Sequence, residues 1–241
     1  MALLVLPALS AESRQPIPEH EPFQWRPALV QSGLFALIEH GGRLAQAGTR
    51  DQLKGPFWRD YWTSVKGLSG RWDDGDTKVC NYMAHPMQGA VAGYIQVQND
   101  PQGMYREFSR QPQYWTSRLK ALAWSAAYST QFELGPFSEA AIGNIGMKPG
   151  TMALVDLVMT PLGGFGWQIG EDAADRYLVQ WIESKTGLRG VRIVARSLLN
   201  PCRSMANILR GRYPWHRDTR EGVSAPRVYR SVTGPAHPAA N

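Results

Sequence analysis

Three side chains that can take up or release a proton stand in segments that otherwise have an apolar, helical pattern. They are His85, Glu133 and Asp156. A buried polar group without a hydrogen-bonding partner costs about 2–7 kcal/mol, so such residues either pair with one another or are used in function. In one shared interior site, His85 can act as a general base and one carboxylate can orient it, while the other serves as an acid or a metal ligand. The alternative is an internal hydrogen-bond network that fixes how the helices pack.

Further polar residues extend this set into a polar seam. Asn81, His85 and Gln88 recur at i, i+4 and i+7 and therefore share one helix face. Asp156 and Thr160 share a face in a later helix for the same reason. The predicted seam beyond the three proton-carrying residues comprises Asn81, Gln88, Ser138, Glu139, Thr160, Glu171 and Asn200.

Other reaction classes lack their sequence signals. No cysteine or histidine spacing indicates a metal site, so no metal and no cofactor is predicted. Cys80 and Cys202 are interpreted as two separate buried thiols, with a disulfide between them as the alternative that an exported protein permits. No serine has a nucleophile-elbow setting. The glycines between 163 and 170 follow no strand, which argues against a dinucleotide or P-loop site.

The elements that must position the reactive side chains are helices. Apolar residues recur with helical spacing over 28–46, 57–68, 79–98, 114–134, 151–185 and 200–212, whereas 189–199 is ambiguous. Pro86 distorts the helix at His85, and Pro161 predicts a kink or a break. Gly89 and Gly93 allow another backbone to approach closely. The chain is therefore predicted to be mainly α-helical, a single bundle of about five to seven helices, with an irregular proline-rich N-terminus and an arginine-rich C-terminal tail.

Four regions follow from this pattern. Residues 1–15 have the apolar half of a secretory signal without its basic start, and an ordinary apolar tail is the alternative. Residues 16–56 are predicted to be a lead-in with one helix, 57–212 a helical domain, and 213–241 a flexible basic tail. Export to the periplasm or to a cell-envelope membrane is the predicted localisation.

Positive charge is concentrated near the C-terminus. Residues 189–230 contain ten arginines and only two acidic residues. Such a block attracts phosphate groups, whether in lipid headgroups or in nucleic acid. Lipid is the preferred partner because no nucleic-acid recognition motif accompanies the charge, and Arg203 and Arg210 are the predicted anion-binding residues. A solvated basic tail is the alternative. Asp172 and Arg176, four residues apart, are predicted to form an ion pair.

The aromatic residues bear on membrane attachment. Nine tryptophans, several of them near the ends of apolar stretches, fit an aromatic belt at a membrane interface. Rings that cap a soluble core explain them equally well. No run of ~18 apolar residues occurs without a polar interruption, so a plain membrane span is not indicated. A helical bundle attached to a membrane, or partly embedded in it, is predicted instead.

The order of several motifs along the chain carries further information. The motifs are Asn81 with His85-Pro86-x-Gln88-Gly89, Phe132-Glu133 with Ser138-Glu139, Asp156 with Thr160-Pro161-x-Gly163-Gly164, and Gly170-Glu171. Over about residues 79–210 this set resembles a bacterial family known as domain of unknown function 3943. The resemblance implies an exported, envelope-associated helical domain and implies no activity. Some members continue into β-rich, outer-membrane-like sequence, whereas this chain continues into its arginine-rich segment.

Three hypotheses of function remain. The leading hypothesis is a non-catalytic, membrane-associated envelope protein whose polar seam fixes helix packing. The first alternative is a hydrolase or transferase that acts on a lipid or phosphorylated envelope substrate, with His85 as general base and Arg203 or Arg210 as the phosphate clamp. The second alternative is nucleic-acid binding through the arginine-rich region, which a steep dependence of affinity on salt would reveal.

Overall fold

The protein is a bundle of helices. The computed structural model describes residues 21–45, 47–143, 152–220 and 222–223, and no β-strand occurs among them. The α-helices are α1 (Trp25–Leu44), α2 (Ala47–Gln52), α3 (Phe57–Lys66), α4 (His85–Gln98), α5 (Pro112–Leu134), α6 (Leu154–Val158), α7 (Gly164–Ala174), α8 (Gln180–Lys185), α9 (Arg189–Leu198) and α10 (Pro201–Leu209). The π-helical segments are π1 (Cys80–Ala84), π2 (Glu139–Gly143), π3 (Met159–Gly163) and π4 (Asp175–Val179). The predicted mainly α-helical class is confirmed.

Helix α4 lies at the centre of the bundle. It contacts α1, α5, α7, α10 and π3, and every residue from Gln88 to Gln98 is buried. It contains no aspartate, glutamate, lysine or arginine, which allows other helices to cover it on all sides. Its Ile95 packs in the main apolar core with Phe35 of α1 and Phe132 of α5.

The contact between α4 and π3 depends on glycine. A Cβ atom at Gly89 would lie 1.7 Å from the carbonyl oxygen of Thr160, and one at Gly164 would lie 2.6 Å from the carbonyl carbon of Gly89. No side chain fits at either position, so the two backbones touch directly. The close approach predicted from Gly89 is therefore present, and it brings π3 against the helix that begins at His85.

Wide π-helical turns take the place of the breaks predicted from proline. The path from Leu154 to Lys185 runs without interruption through α6, π3, α7, π4 and α8. Pro161 lies inside π3, so the predicted kink takes the form of a π turn. The other predicted distortion, at His85, coincides with the junction of π1 and α4. A π turn inserts an additional residue and changes the direction of the side chains around it.

The N-terminal region differs from its prediction. Helix α1 begins at Trp25, so Pro27 falls in the first turn, where a missing N–H leaves no hydrogen bond unmade. Ala28 and Phe35 of α1 are buried in the core, and α2 adds a second helix. This corrects the prediction of a lead-in with one helix over 16–56. The predicted signal segment 1–15 lies outside the described residues.

The C-terminal region also differs. The ambiguous segment 189–199 forms helix α9. Beyond α10, Arg217 and Val223 are only 2% and 5% exposed, so residues 213–220 and 222–223 pack onto the bundle. This corrects the predicted flexible tail for those residues, while the rest of 213–241 lies outside the described part of the chain.

Helix α1 presents an apolar stripe to solvent. The stripe comprises Val30, Leu34, Leu37 and Ile38, all of them exposed, and Trp25 and Leu29 are exposed apolar residues outside it. Other faces of the helix bury Ala28, Gln31, Phe35 and His40. None of the helices within the described ranges has the combination of length and apolar character that crossing a bilayer requires.

Candidate functional site

His85 stands at the point where π1 ends and α4 begins. Its Nδ1 atom lies 3.2 Å from Gln88 Oε1 and 3.2 Å from Thr160 Oγ1. Its Nε2 atom lies 3.2 Å from Asp156 Oδ1. Both ring nitrogens therefore have polar neighbours, which fix the plane of the imidazole.

The structure brings together the three proton-carrying side chains that the sequence singles out. A ring nitrogen of His85 and one carboxylate oxygen each from Glu133 and Asp156 lie within 4.8 Å of one another. We call these three residues the His85 cluster. They come from α4, α5 and α6, and the packing of α5 against both other elements holds them together. The side chains of His85 and Asp156 are 13% and 14% exposed, so the cluster lies just beneath the surface of the bundle.

Glu133 is the innermost member of the cluster. It is 5% exposed, and among the described residues it makes no hydrogen bond and no ion pair. Burial, reinforced by the negative charges of Asp156 and Glu139, raises the pKa of Glu133 well above its usual range. A carboxyl group held in this state can donate a proton.

The other two members share this electrostatic setting. Burial raises the pKa of Asp156 to about 8, and the charge of Asp74 together with its hydrogen bond to Asp156 adds to the effect. Burial lowers the pKa of His85. Burial acts against ionisation of Asp74 as well, but hydrogen bonds from the Asp76 backbone and the Asn81 side chain outweigh it and lower the pKa of Asp74. The cluster thus favours a neutral imidazole beside a protonated Asp156 at neutral pH.

A chain of hydrogen bonds reaches His85 from α1. The Tyr128 hydroxyl donates to Glu39 Oε2 over 2.7 Å, and Gln88 Nε2 donates to the same oxygen over 3.2 Å. Because Gln88 uses its NH₂ group for Glu39, its Oε1 atom accepts the proton of His85 Nδ1. His85 Nε2, which faces Asp156, is therefore the unprotonated nitrogen. Sequence reasoning missed Glu39, because α1 was interpreted as a lead-in outside the bundle.

Glu39 provides a pH-dependent prediction. Burial raises the pKa of Glu39 from its ordinary value of 4.5 to about 7, and the negative charge of Glu139 adds to the effect. The hydrogen bonds from Tyr128 and Gln88 and the charge of His40 act in the opposite direction but are outweighed. Because the pKa of Glu39 is higher in the folded than in the unfolded protein, its contribution to stability is fully present below about pH 4.5 and is lost as the pH rises through 7. We expect Glu39→Gln to gain on the order of 3 kcal/mol relative to wild type between pH 4.5 and pH 8. Urea unfolding at a series of pH values measures this gain, and parallel curves for the two proteins would contradict it.

Other predicted seam residues surround the cluster without joining it. Glu139 pairs with His40 over 3.4 Å and with Arg43 over 3.0 Å. Ser138 is fully buried, and its hydroxyl oxygen accepts a hydrogen bond from the backbone of Ala141 at 3.3 Å. Ser138 thus accepts a hydrogen bond from π2, and Glu139 links π2 to α1.

Two predicted seam residues belong to a different interior site, at the start of α10. Glu171 accepts hydrogen bonds from the backbone N–H groups of Cys202 and Arg203, over 2.9 and 3.1 Å. It therefore caps α10 from another helix. Asn200 occupies the N-cap position but makes no side-chain capping bond, and it accepts from Arg217 instead. This corrects the idea of one continuous seam.

The two predicted anion-binding arginines are engaged with carboxylates of the chain. Arg203 pairs with Asp172 and lies 3.9 Å from Asp175. Arg210 makes a two-pronged pair with Asp218, with distances of 3.0 and 2.8 Å. A phosphate group at either guanidinium would compete with these carboxylates. The structure does not bring either arginine into the His85 cluster, and their binding of anions stays a prediction.

Asp172 is the centre of a buried ionic network. It accepts hydrogen bonds from Arg118 Nε over 2.6 Å, from the Tyr94 hydroxyl over 3.0 Å and from the Tyr114 hydroxyl over 2.9 Å. Arg203 adds a further ion pair. The side chains of Arg118 and Asp172 are each 1% exposed. Every oxygen of this carboxylate is thus paired, in contrast to Glu133.

The ion pair predicted between Asp172 and Arg176 is wrong. Arg176 donates to Glu107 over 2.7 Å instead. Asp172 is directed into the bundle, where Arg118 and Arg203 are closer. Five arginines of the basic block likewise form ion pairs with carboxylates of the chain: Arg196, Arg203, Arg210, Arg217 and Arg220.

No protein-family model, no curated protein and no solved structure matches the chain.

Proposed function

We propose that the protein is a hydrolase or transferase that acts at a membrane surface on a lipid or phosphorylated envelope substrate, with the His85 cluster as its reactive centre. The observation that carries the proposal is the convergence of three proton-carrying groups, from three helices, within 4.8 Å. Polar residues that only fix helix packing pair off completely, as Asp172 does. Glu133 has no such partner among the described residues, so packing alone does not account for it.

Each member of the cluster has a role that follows from its position. His85 Nε2 carries a lone pair and can take the proton of a water molecule or a substrate hydroxyl. Asp156, 3.2 Å away, stabilises the imidazolium that forms when its own carboxyl group is deprotonated. Glu133 can return a proton to the leaving group. Gln88 holds the imidazole in the tautomer that this sequence of steps requires.

A membrane-surface setting is supported by the apolar stripe on α1. Its four exposed apolar residues fall within about 100° of arc on a twenty-residue helix, an arrangement that suits a helix lying in the interfacial region of a bilayer. The resemblance to the envelope-associated family points to the same location.

Turnover by a histidine variant tests the proposal. Purified wild type and His85→Ala are assayed for release of phosphate and of fatty acid from phosphatidylglycerol vesicles, and for hydrolysis of p-nitrophenyl phosphate. Loss of the base is expected to lower turnover by about 10²–10⁴-fold. Thermal unfolding followed by circular dichroism checks that the variant is folded.

His216→Ala is a matched control. His216 Nε2 also lies 3.2 Å from an aspartate oxygen, that of Asp218, but outside the cluster. We expect this variant to keep wild-type turnover. Equal effects of the two substitutions would contradict the proposal. A wild type that is inactive on all three readouts, with a His85→Ala variant of lowered stability, would support the structural role in the envelope instead.

A further inference from the structure

We infer that the His85 cluster binds one divalent transition-metal ion through His85 Nε2 and the carboxylates of Glu133 and Asp156. The inference deepens the proposed function and rests on it for placing the reactive centre there. The binding of the ion needs no turnover and is measured separately.

The donor atoms suit such an ion. One imidazole nitrogen and two carboxylates are ligands of Mn²⁺, Fe²⁺ and Zn²⁺. Ligand atoms about 2.0–2.2 Å from one ion lie roughly 3–4 Å from each other. The His85 and Asp156 atoms already lie 3.2 Å apart, and the whole set lies within 4.8 Å.

The hydrogen bonds around His85 prepare its Nε2 atom for a ligand. The proton sits on Nδ1 because Gln88 Oε1 accepts it, so Nε2 presents a lone pair to Asp156 Oδ1, which is also an acceptor. Two acceptors 3.2 Å apart are stable only with a proton or a cation between them. A hydrogen bond that holds the remote nitrogen of a histidine is the usual support for a metal ligand. Glu39, which accepts from Gln88, anchors that support.

The charge around the cluster favours a cation. Glu39, Asp74, Glu133 and Asp156 have no lysine or arginine partner in the described ranges, and Glu139 beside them pairs with Arg43. Glu133 faces the negative charges of Asp156, Glu139, Asp74 and Glu39. It lies 5% exposed and without a hydrogen bond among the described residues, next to His85 and Asp156. A buried carboxylate in that position is stabilised by direct coordination of a divalent ion.

A bound cation also explains how this site can accept a phosphorylated substrate. Several carboxylates repel a phosphate group, whereas a divalent ion attracts its oxygens and lowers the pKa of a bound water. With the ion in place, His85 acts as a ligand and the ion becomes the group that activates water. The reaction class stays that of the proposed function.

Manganese binding tests the inference. The full-length protein is treated with EDTA, dialysed and titrated with MnCl₂, and the free Mn²⁺ is followed by its electron paramagnetic resonance signal. We expect one bound ion per chain. Loss of an outer partner of a metal ligand already costs about 10–100-fold in affinity, so Glu133→Gln is expected to lose 100-fold or more. The exposed carboxylate variant Asp51→Asn, which also removes one negative charge, is expected to bind as wild type does.

Folding and turnover separate the possible failures. Glu133→Gln is nearly isosteric and replaces one buried neutral group with another, so we expect it to keep the thermal midpoint; if it does not fold, Asp156→Asn makes the same test. One-to-one binding that Glu133→Gln abolishes, in a protein without turnover, supports the ion site and refutes the proposed function. Full turnover by EDTA-treated protein that binds no Mn²⁺ at millimolar concentration refutes the ion site and leaves the proposed function standing. Unchanged affinity in the variant also refutes the ion site.

Discussion

Asp172→Ala is expected to lower the free energy of unfolding by about 3–5 kcal/mol, the largest effect of any single substitution considered. The substitution leaves the Arg118 guanidinium, whose side chain is 1% exposed, in the interior without its carboxylate. It also removes the acceptor of the Tyr94 and Tyr114 hydroxyls. Urea unfolding followed by circular dichroism at neutral pH measures the loss.

The matched control for this loss is an ion pair at the surface. Asp51 pairs with Lys54 over 2.7 Å, but the two side chains are 70% and 77% exposed. Solvent screens such pairs, so Asp51→Ala is expected to cost less than about 1 kcal/mol. Similar losses for the two aspartate variants would show that burial does not strengthen the ion pairs of Asp172.

Gly89→Ala is expected to lower the free energy of unfolding by about 1–3 kcal/mol or more, because it overpacks the contact between α4 and π3. The new methyl group would lie 1.7 Å from the carbonyl oxygen of Thr160 and 2.6 Å from its carbonyl carbon, both backbone atoms. Relief requires π3 to move away from α4. The hydroxyl of Thr160 moves with it, away from His85 Nδ1. The thermal midpoint from circular dichroism measures the loss of stability.

Gly170→Ala is the control for this substitution. Gly170 is exposed on α7, and a Cβ atom there meets nothing within 4 Å. Alanine restricts the unfolded chain and favours the helix, so this variant is expected to gain about 0.4–1 kcal/mol. The same chemical change thus has opposite signs at two glycines of one bundle. Equal midpoints for the two variants would mean that α4 and π3 do not touch as described.

The fold class could be predicted from the sequence because apolar residues recur with helical spacing in nearly every segment. The low charge of α4 indicates a buried helix, and Gly89 indicates that another backbone approaches it, but the sequence does not show that this backbone is π3. The sequence does not show that Pro161 is accommodated in a π turn, since the outcome depends on how the neighbouring helices support the backbone. It also does not show that α9 is helical, because its apolar residues fit two periodicities.

The meeting of His85, Glu133 and Asp156 could be anticipated from one physical argument. Polar residues on apolar helices are buried with them, and buried polar residues collect where they can interact. The same argument fails to separate the His85 cluster from the Glu171 site, because residue types do not show which end of a helix faces which neighbour. The catalytic and metal-binding roles of the His85 cluster stay predictions.

The contacts that could not be predicted join residues that are far apart in the sequence. Glu39 accepts a hydrogen bond from Gln88. The helix that contains Glu39 follows a proline-rich segment and was therefore interpreted as peripheral. Asp172 pairs with Arg118 and Arg203 because tertiary contacts inside the bundle outweigh a local pair with Arg176. The arginine-rich block suggested a free positive surface, yet Asp175 and Glu183 lie close to it in space. Composition counts charges and does not show which are neutralised internally.

The wide turn of π3 has an angular consequence. Asp156 and Gly164 are eight residues apart, and a regular α-helix rotating about 100° per residue would point them roughly 80° apart. A π segment absorbs one residue without advancing the rotation, which reduces that offset to about 20°. Asp156 and Gly164 can then both face α4, where one meets His85 and the other meets Gly89. The additional residue in Met159–Gly163 works as a spacer that keeps two distant points of one helix aligned on a single neighbour.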